Sequence, residues 1–231
     1  MPVGTVLITG ASRGIGLEFV RQYAADGWSV IACCRSPDKA DDLKSLATKS
    51  DDVEVVALDV ADHAAIDALA RRLDGRAIDV LINNAGISGR RPQDFGSLDY
   101  ADWQQVMETN LLAPVHMAEA FVDHVARGEH RLIANLSSVL GSIAHASGRQ
   151  YLYRTSKAAL NMAVKCMAED LGPRGIRVVA FHPGHVRTDM GGASAPVVPT
   201  DSVRGMRAIM ARIDDGMSGG FFNYDGSQLP W

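Results

Sequence analysis

The sequence predicts an α/β protein built on one doubly wound, seven-stranded parallel sheet with helices on both faces. Three observations lead there. Short apolar runs recur along the 231 residues, and they are nearly continuous in Val, Ile, Leu and Ala rather than alternating, as strands covered on both faces are. Stretches of helical periodicity separate the runs, so each return to the sheet needs a crossover, which is right-handed. A glycine-rich turn joins the first run to the first helical stretch. The length suits a single domain over residues 1–231 with a substantial core and is short for two.

In chain order, strands are predicted at Thr5–Thr9, Ser29–Cys34, Val53–Leu58, Ile78–Ile82, Arg131–Leu136, Ile176–Phe181 and Gly220–Tyr224. Helices are predicted at Ile15–Ala25, Lys39–Thr48, His63–Arg72, Asp102–Arg127, Tyr151–Leu171 and Asp201–Ile213. In Tyr151–Leu171 the residues Leu160, Val164, Met167 and Leu171 recur at spacings of three and four, a stripe to bury against the sheet. On the long helix Asp102–Arg127, Leu111, Val115, Ala118 and Val122 are expected to pack inward while Met117 and Phe121 face elsewhere. Apolar residues on more than one face of these two helices suit a two-fold helix bundle, so a homodimer or homotetramer is expected. Gly191–Pro199 is loop-like and lies in a short substrate-side segment of about residues 187–213.

Ligands of open α/β sheets bind beyond the carboxyl ends of the strands, and the residues with chemistry to offer collect there. After the first strand comes Thr9-Gly10-Ala11-Ser12-Arg13-Gly14-Ile15-Gly16. Glycines let a backbone turn tightly and approach a pyrophosphate, whose charge the free N–H groups of a helix start can meet. Gly10, Ser12, Arg13, Gly14, Ile15 and Gly16 are therefore candidate dinucleotide-binding residues, although the glycine spacing departs from the literal G-x-G-x-x-G pattern. The second strand ends Cys33-Cys34-Arg35-Ser36, with no carboxylate to hold a ribose 2′-hydroxyl. Arg35, together with Arg13, suits a 2′-phosphate instead, which favours NADP(H) and leaves NAD(H) possible.

Asp59 and Val60 follow the third strand. There the carboxylate either accepts from an adenine amino group or caps the turn before His63. Asn83-Asn84-Ala85-Gly86 closes the fourth strand, where small polar residues either finish a turn or, at Asn84, Ala85 and Gly86, line the cofactor. The loop after the sixth strand, with Pro183, Gly184, Val186 and Thr188 as candidate cofactor-binding residues, has backbone and hydroxyl donors to offer a carboxamide. Ser137-Ser138 ends the fifth strand, and Tyr153 and Lys157 stand four apart on the helix that follows, hence on one face. A lysine charge beside a phenol stabilises the phenolate and lowers its pKa toward the range where proton transfer to a carbonyl oxygen works best.

The remaining composition mainly excludes. A net charge of −4, a pI of about 5.9 and the lack of any Lys/Arg run argue against nucleic acid as a partner. No apolar stretch is long enough to span a membrane, and the start of the chain lacks the pattern of a signal peptide. Cys33, Cys34 and Cys166 are odd in number and match no metal spacing, which fits reduced thiols in a cytoplasmic protein. His182 and His185 flank a Pro-Gly pair with no third ligand, and the seven histidines look scattered, so no metal is expected. Met162 and Met167 read as core filler, and Met190 as part of an apolar pocket.

TGASRGIG at 9–16, NNAG at 83–86, Asn110, Ser137-Ser138, YRTSK at 153–157 and PGHVRT at 183–188 occur in the order found in the short-chain dehydrogenase/reductase family. From about Val3 onward the chain resembles that family. It is most similar to the sniffer/C-factor-like carbonyl reductase branch through LSSVLGSI at 136–143, YRTSKAALN at 153–161 and FFNYDGSQLPW at 221–231. The resemblance implies a single-domain Rossmann fold and a catalytic set of Ser138, Tyr153, Lys157 and Asn110. Tyr153 would protonate a carbonyl oxygen as hydride arrives from a nicotinamide, and Ser138 would hydrogen-bond that oxygen. Lys157 would bind the nicotinamide ribose and lower the Tyr153 pKa, and Asn110 would position a relay water. The expected activity is NADPH-dependent reduction of an aldehyde or ketone. The alternatives are an NAD-dependent alcohol dehydrogenase or a non-catalytic NADP(H)-binding signalling protein.

Overall fold

The computed structural model describes residues 2–231. Its seven strands are β1 (Thr5–Thr9), β2 (Ser29–Cys34), β3 (Val53–Ala57), β4 (Val80–Asn83), β5 (Leu132–Leu136), β6 (Arg177–His182) and β7 (Phe221–Asn223). All pair in parallel in one sheet of order β3-β2-β1-β4-β5-β6-β7. The order reverses between β1 and β4, where Val6 lies opposite Val30 on one side and Val80 on the other. The helices are α1 (Gly14–Ala25), α2 (Asp41–Ala47), α3 (His63–Arg72), α4 (Tyr100–Met107), α5 (Ala113–Ala126), α6 (Tyr151–Leu171) and α7 (Pro199–Met210).

Because successive strand residues point to opposite faces, each strand feeds two cores. Val6 and Ile8 of β1 join Phe19, Val20 and Tyr23 of α1 and Val203, Met206 and Ile209 of α7 on one face. Leu7 joins Ile66 of α3, Met117 and Phe121 of α5, and Leu160 and Val164 of α6 on the other. Near-continuous apolar strands are the consequence of having two cores to fill.

Two expectations about the helices fail, for one reason. Asp102–Arg127 is not a continuous α-helix, because Glu108–Leu112 forms a π turn between α4 and α5. Pro114 has no N–H to return to the carbonyl of Asn110, four residues earlier, so the α ladder opens there. The wider turn rotates the following face. Met117, Ala118 and Phe121 point into the core, and Leu111, Val115 and Val122 are the half-exposed ones, the reverse of the periodicity reading for all but Ala118. The core-filler reading also fails for Met162, which is 65% exposed on α6, whereas Met167 packs against the core's edge.

Candidate active site

In this all-parallel sheet the strands end on one edge, so the loops that leave β1 to β6 meet above it and bound an open cleft of about 1730 Å³. That exceeds the few hundred to ~1,000 Å³ of a single drug-sized ligand and suits a dinucleotide beside a second small molecule. Each predicted cofactor residue after β1 to β6, with Ser138, Tyr153 and Lys157, lines this cleft. Asn110 does not. It is fully buried behind the cleft wall.

The glycine loop is shaped for a phosphate. Gly10 and Gly14 hold φ of +67° and +56°, a left-handed conformation that costs other residues energy. A Cβ on Gly16 would stand 2.2 Å from the carbonyl oxygen of Gly10, so only glycine lets the first turn of α1 sit that close under the loop. Arg13, at the N-cap, makes no side-chain bond to the helix, and the first N–H groups of α1 remain free for an anion. Asn84 reaches this loop from β4, but its amide nitrogen donates to the carbonyls of Thr9 (2.8 Å) and Gly10 (3.1 Å). The Thr9 hydroxyl oxygen accepts from the N–H groups of Asn84 and Ala85 at 3.0 and 3.1 Å. Asn84 thus builds the cradle across the β1–β4 switch point. Asn83 is buried behind it, donating to Pro114 O and Asn135 Oδ1.

At the far end of the cleft, Arg35 and Lys39 line the wall after β2 and make no ion pair among the described residues. Lys39 is a cleft cation that strand-end reasoning misses, since it sits in a 3₁₀ turn before α2 rather than at a strand end. Arg13 pairs at 2.5 Å with Asp189, beyond β6, so one of the two arginines proposed for a 2′-phosphate has a competing partner. Asp59 caps the turn after β3 through one oxygen, which accepts from the N–H of Ala61 at 3.1 Å. Opposite, Gly184 at φ +85° and Thr188 form the loop after β6, and a Cβ on Gly14 would come within 3.2 Å of the Thr188 methyl. Met190 stands exposed on the same rim.

The candidate reactive groups converge near the ends of β4 and β5. Tyr153 and Lys157 share a face of α6, with the Lys157 Nζ 5.8 Å from the centre of the Tyr153 ring. Lys157 is 4% exposed, donates at 2.7 Å to the carbonyl of Leu136, and has its pKa pushed down to about 8 by burial. Tyr153 moves opposite to expectation. Burial raises its pKa, and the hydrogen bond with Ser138 offsets part of that rise. Lys157 fails to reverse the shift because desolvation acts on both groups and weakens the ammonium itself. The phenol therefore keeps its proton at neutral pH.

Asn110, in the π turn, donates to Ile87 O (2.8 Å) and Ser156 Oγ (3.0 Å) and accepts from the N–H of Ile87 (2.9 Å). It pins the NNAG loop to α6. A Cβ on Gly86 would stand 3.2 Å from Asn110 Oδ1 and 3.6 Å from Lys157 Nζ, so this glycine keeps the space between those two groups open. His182, at the end of β6, lines the cleft as a neutral imidazole whose pKa burial pushes down to about 4. His185 bonds Gly191 O instead, and no group of three metal-ligating side chains occurs among the described residues. The histidines are not all scattered. His63 and His116 stack at 4.4 Å beside the π turn, paired with Glu108 and Asp67.

A glycine cradle at the switch point, with a Ser/Tyr/Lys set one strand away, defines a dinucleotide-dependent oxidoreductase site. The sequence profile of the short chain dehydrogenases matches residues 4–197, and the chain belongs to that family. C-signal of Myxococcus xanthus is 44% identical over 155 residues, spanning 67% of this chain and 93% of that protein. Among solved structures, the carbonyl reductase Sniffer of D. melanogaster superposes with a TM-score of 0.94 at 33% identity, covering 99% of both chains. The NADPH-bound carbonyl reductase from chicken fatty liver does so at 0.93 and 37%, over the whole of both.

Proposed function

We propose that the protein reduces an aldehyde or ketone to the alcohol with NADPH, using Tyr153 as the proton donor. The observation that carries this reading is the burial of Tyr153 and Lys157 on one face of α6, with Ser138 lining the same cleft as the phenol and the glycine cradle. When bound, the reduced nicotinamide supplies the hydride that the carbonyl carbon accepts. The chain supplies the rest. The raised pKa of Tyr153 keeps its proton until negative charge builds on the substrate oxygen, and transfer there completes the alcohol. Ser138 donates to the same oxygen, stabilising the charge as it forms. An ammonium has three donors; Leu136 takes one from Lys157, and the others suit ribose hydroxyls while the charge favours the tyrosinate that remains. The gap that Gly86 leaves between Asn110 and Lys157 suits a relay water through which Tyr153 regains its proton.

The cradle fits a pyrophosphate, and the other end of the cleft suits the 2′-phosphate of NADP(H). No carboxylate stands at the end of β2, and Arg35 and Lys39 are free to pair there. The NADPH bound to the carbonyl reductase from chicken fatty liver supports the same choice. A panel of aldehydes and ketones, assayed with NADPH and with NADH, tests the reaction and the cofactor together. Tyr153→Phe is expected to lower kcat by at least ~100-fold with NADPH affinity intact. Arg35→Ala is expected to raise the KM for NADPH about tenfold and leave that for NADH alone. Unchanged NADPH affinity in that variant would favour the NAD-dependent dehydrogenase. The complete reactive set speaks against a pure binding protein. The three unpaired thiols suit the cytoplasm.

A further inference from the structure

Asn161 stands one helical turn beyond Lys157 and two beyond Tyr153, on the same face of α6, 3% exposed, and has no part in the reaction as described. We propose that Asn161 is a positioning residue for Ser138: its carboxamide clamps the turn that carries the serine hydroxyl onto the helix that carries Tyr153 and Lys157. The proposal rests on the carbonyl-reductase reading of the site.

The turn in question runs from Ser137 to Gly141, between the end of β5 and the loop that leads to α6. Ser138 lies inside it and needs a fixed distance to Tyr153, which sits on a different element. Asn161 spans the serine on both sides. Its Oδ1 accepts from the Ser137 hydroxyl at 2.5 Å, and its Nδ2 donates to the carbonyl of Gly141 at 3.3 Å. Gly141 is a contact point as well, because a Cβ there would stand 2.7 Å from the Lys157 backbone. Lys157 adds a third tie through Leu136. The whole turn therefore rides on α6, and Ser138 and Tyr153 keep their relation as one body.

The residue type follows from the geometry. A group that must accept on one side and donate on the other, within a single short side chain, is an asparagine amide. Aspartate lacks the donor, leucine lacks both, and glutamine is a methylene too long. Ser137 acquires a role too: the first serine of the pair holds the turn while the second faces the reaction.

Asn161→Ala is expected to lower kcat for an aromatic aldehyde such as 4-nitrobenzaldehyde about tenfold, with the KM for NADPH changed by less than about threefold. Ser138→Ala combined with Asn161→Ala is expected to be no slower than Ser138→Ala alone, since the amide acts through that hydroxyl. A double variant whose loss is the product of the two single losses overturns the proposal. Ser137→Ala removes one oxygen from the clamp, is expected to cost about threefold in the same non-additive way, and decides the matter if Asn161→Ala does not fold. In a crystal structure of either variant the Ser138–Gly141 turn is expected to shift away from α6 by about 1 Å while Tyr153 and Lys157 stay in place, and an unmoved turn also overturns it. This last readout needs no turnover. A wild-type protein inactive with every carbonyl and cofactor tried would count against the proposed function, while the displacement still decides the clamp.

Discussion

Lys157 carries an ammonium into a place that water hardly reaches, held by one carbonyl. Burial brings its pKa from 10.5 to about 8, so the folded state disfavours the charged form. The proposed reaction needs that charge. For the free enzyme, kcat/KM is therefore expected to fall as pH rises through about 8, and a pH–rate profile checks it. Stability runs the other way. Between about 8 and 10.5 the unfolded chain binds more protons at this site than the folded one, so Lys157 destabilises least at high pH. Below that window the cost is constant, about 3 kcal/mol at 1.36 kcal/mol per unit. Lys157→Met is then expected to be inactive but to melt a few degrees higher at pH 7, by calorimetry. Unchanged or lower melting would mean that the carbonyl of Leu136 compensates the charge more fully than burial penalises it.

At the scale of elements, the site is made by what each helix does at its start. The first turn of α1 sits under the glycine loop only because residue 16 has no side chain. Gly16→Ala would force a Cβ against the Gly10 carbonyl and displace both the loop and the Asn84 amide, 2.6 Å away. The expected result is NADPH binding weakened by at least ~10-fold in fluorescence titration, with far-UV circular dichroism unchanged. The π turn has a comparable part. It turns Asn110 inward to grip Ile87 and Ser156, and thereby sets the NNAG loop at a fixed height over α6.

At the scale of the whole molecule, α5 and α6 leave apolar surface unfilled. Leu112 is 47% exposed and Met162 65%, and the half-exposed Val115 and Val122 lie on the same helix as the first's neighbours. We propose that a second copy covers these residues by two-fold symmetry, since a self-complementary contact buries the same side chains on both subunits. Wild-type protein is expected to run as a dimer or a larger even assembly in light scattering, and Leu112→Asp with Met162→Asp to shift it toward monomer. Because α6 also carries Tyr153 and Lys157, loss of the assembly should lower thermal stability and activity together.

What the sequence determined alone is the part written locally. Nearly continuous apolar runs marked the seven strands, the helical stretches between them gave the bounds of α3 and α6, and YRTSK put a phenol and an ammonium on one face. A glycine turn between strand and helix marked the cradle. Tertiary structure decided the rest, because those properties depend on residues distant in the chain. The interruption at Asn110 follows from Pro114 and from a partner loop at residue 87, which turned Met117 and Phe121 inward against their apparent period. The direction of the Tyr153 shift depends on how deeply the cleft buries it, and spacing on a helix says nothing of dielectric. Asn84 looks like a cofactor contact until β1 and β4 are seen to be neighbours, and Asn161 looks like an ordinary helix residue until the turn from β5 folds onto it. The sequence placed the candidate reactive groups on their elements; only packing showed what holds those elements in register.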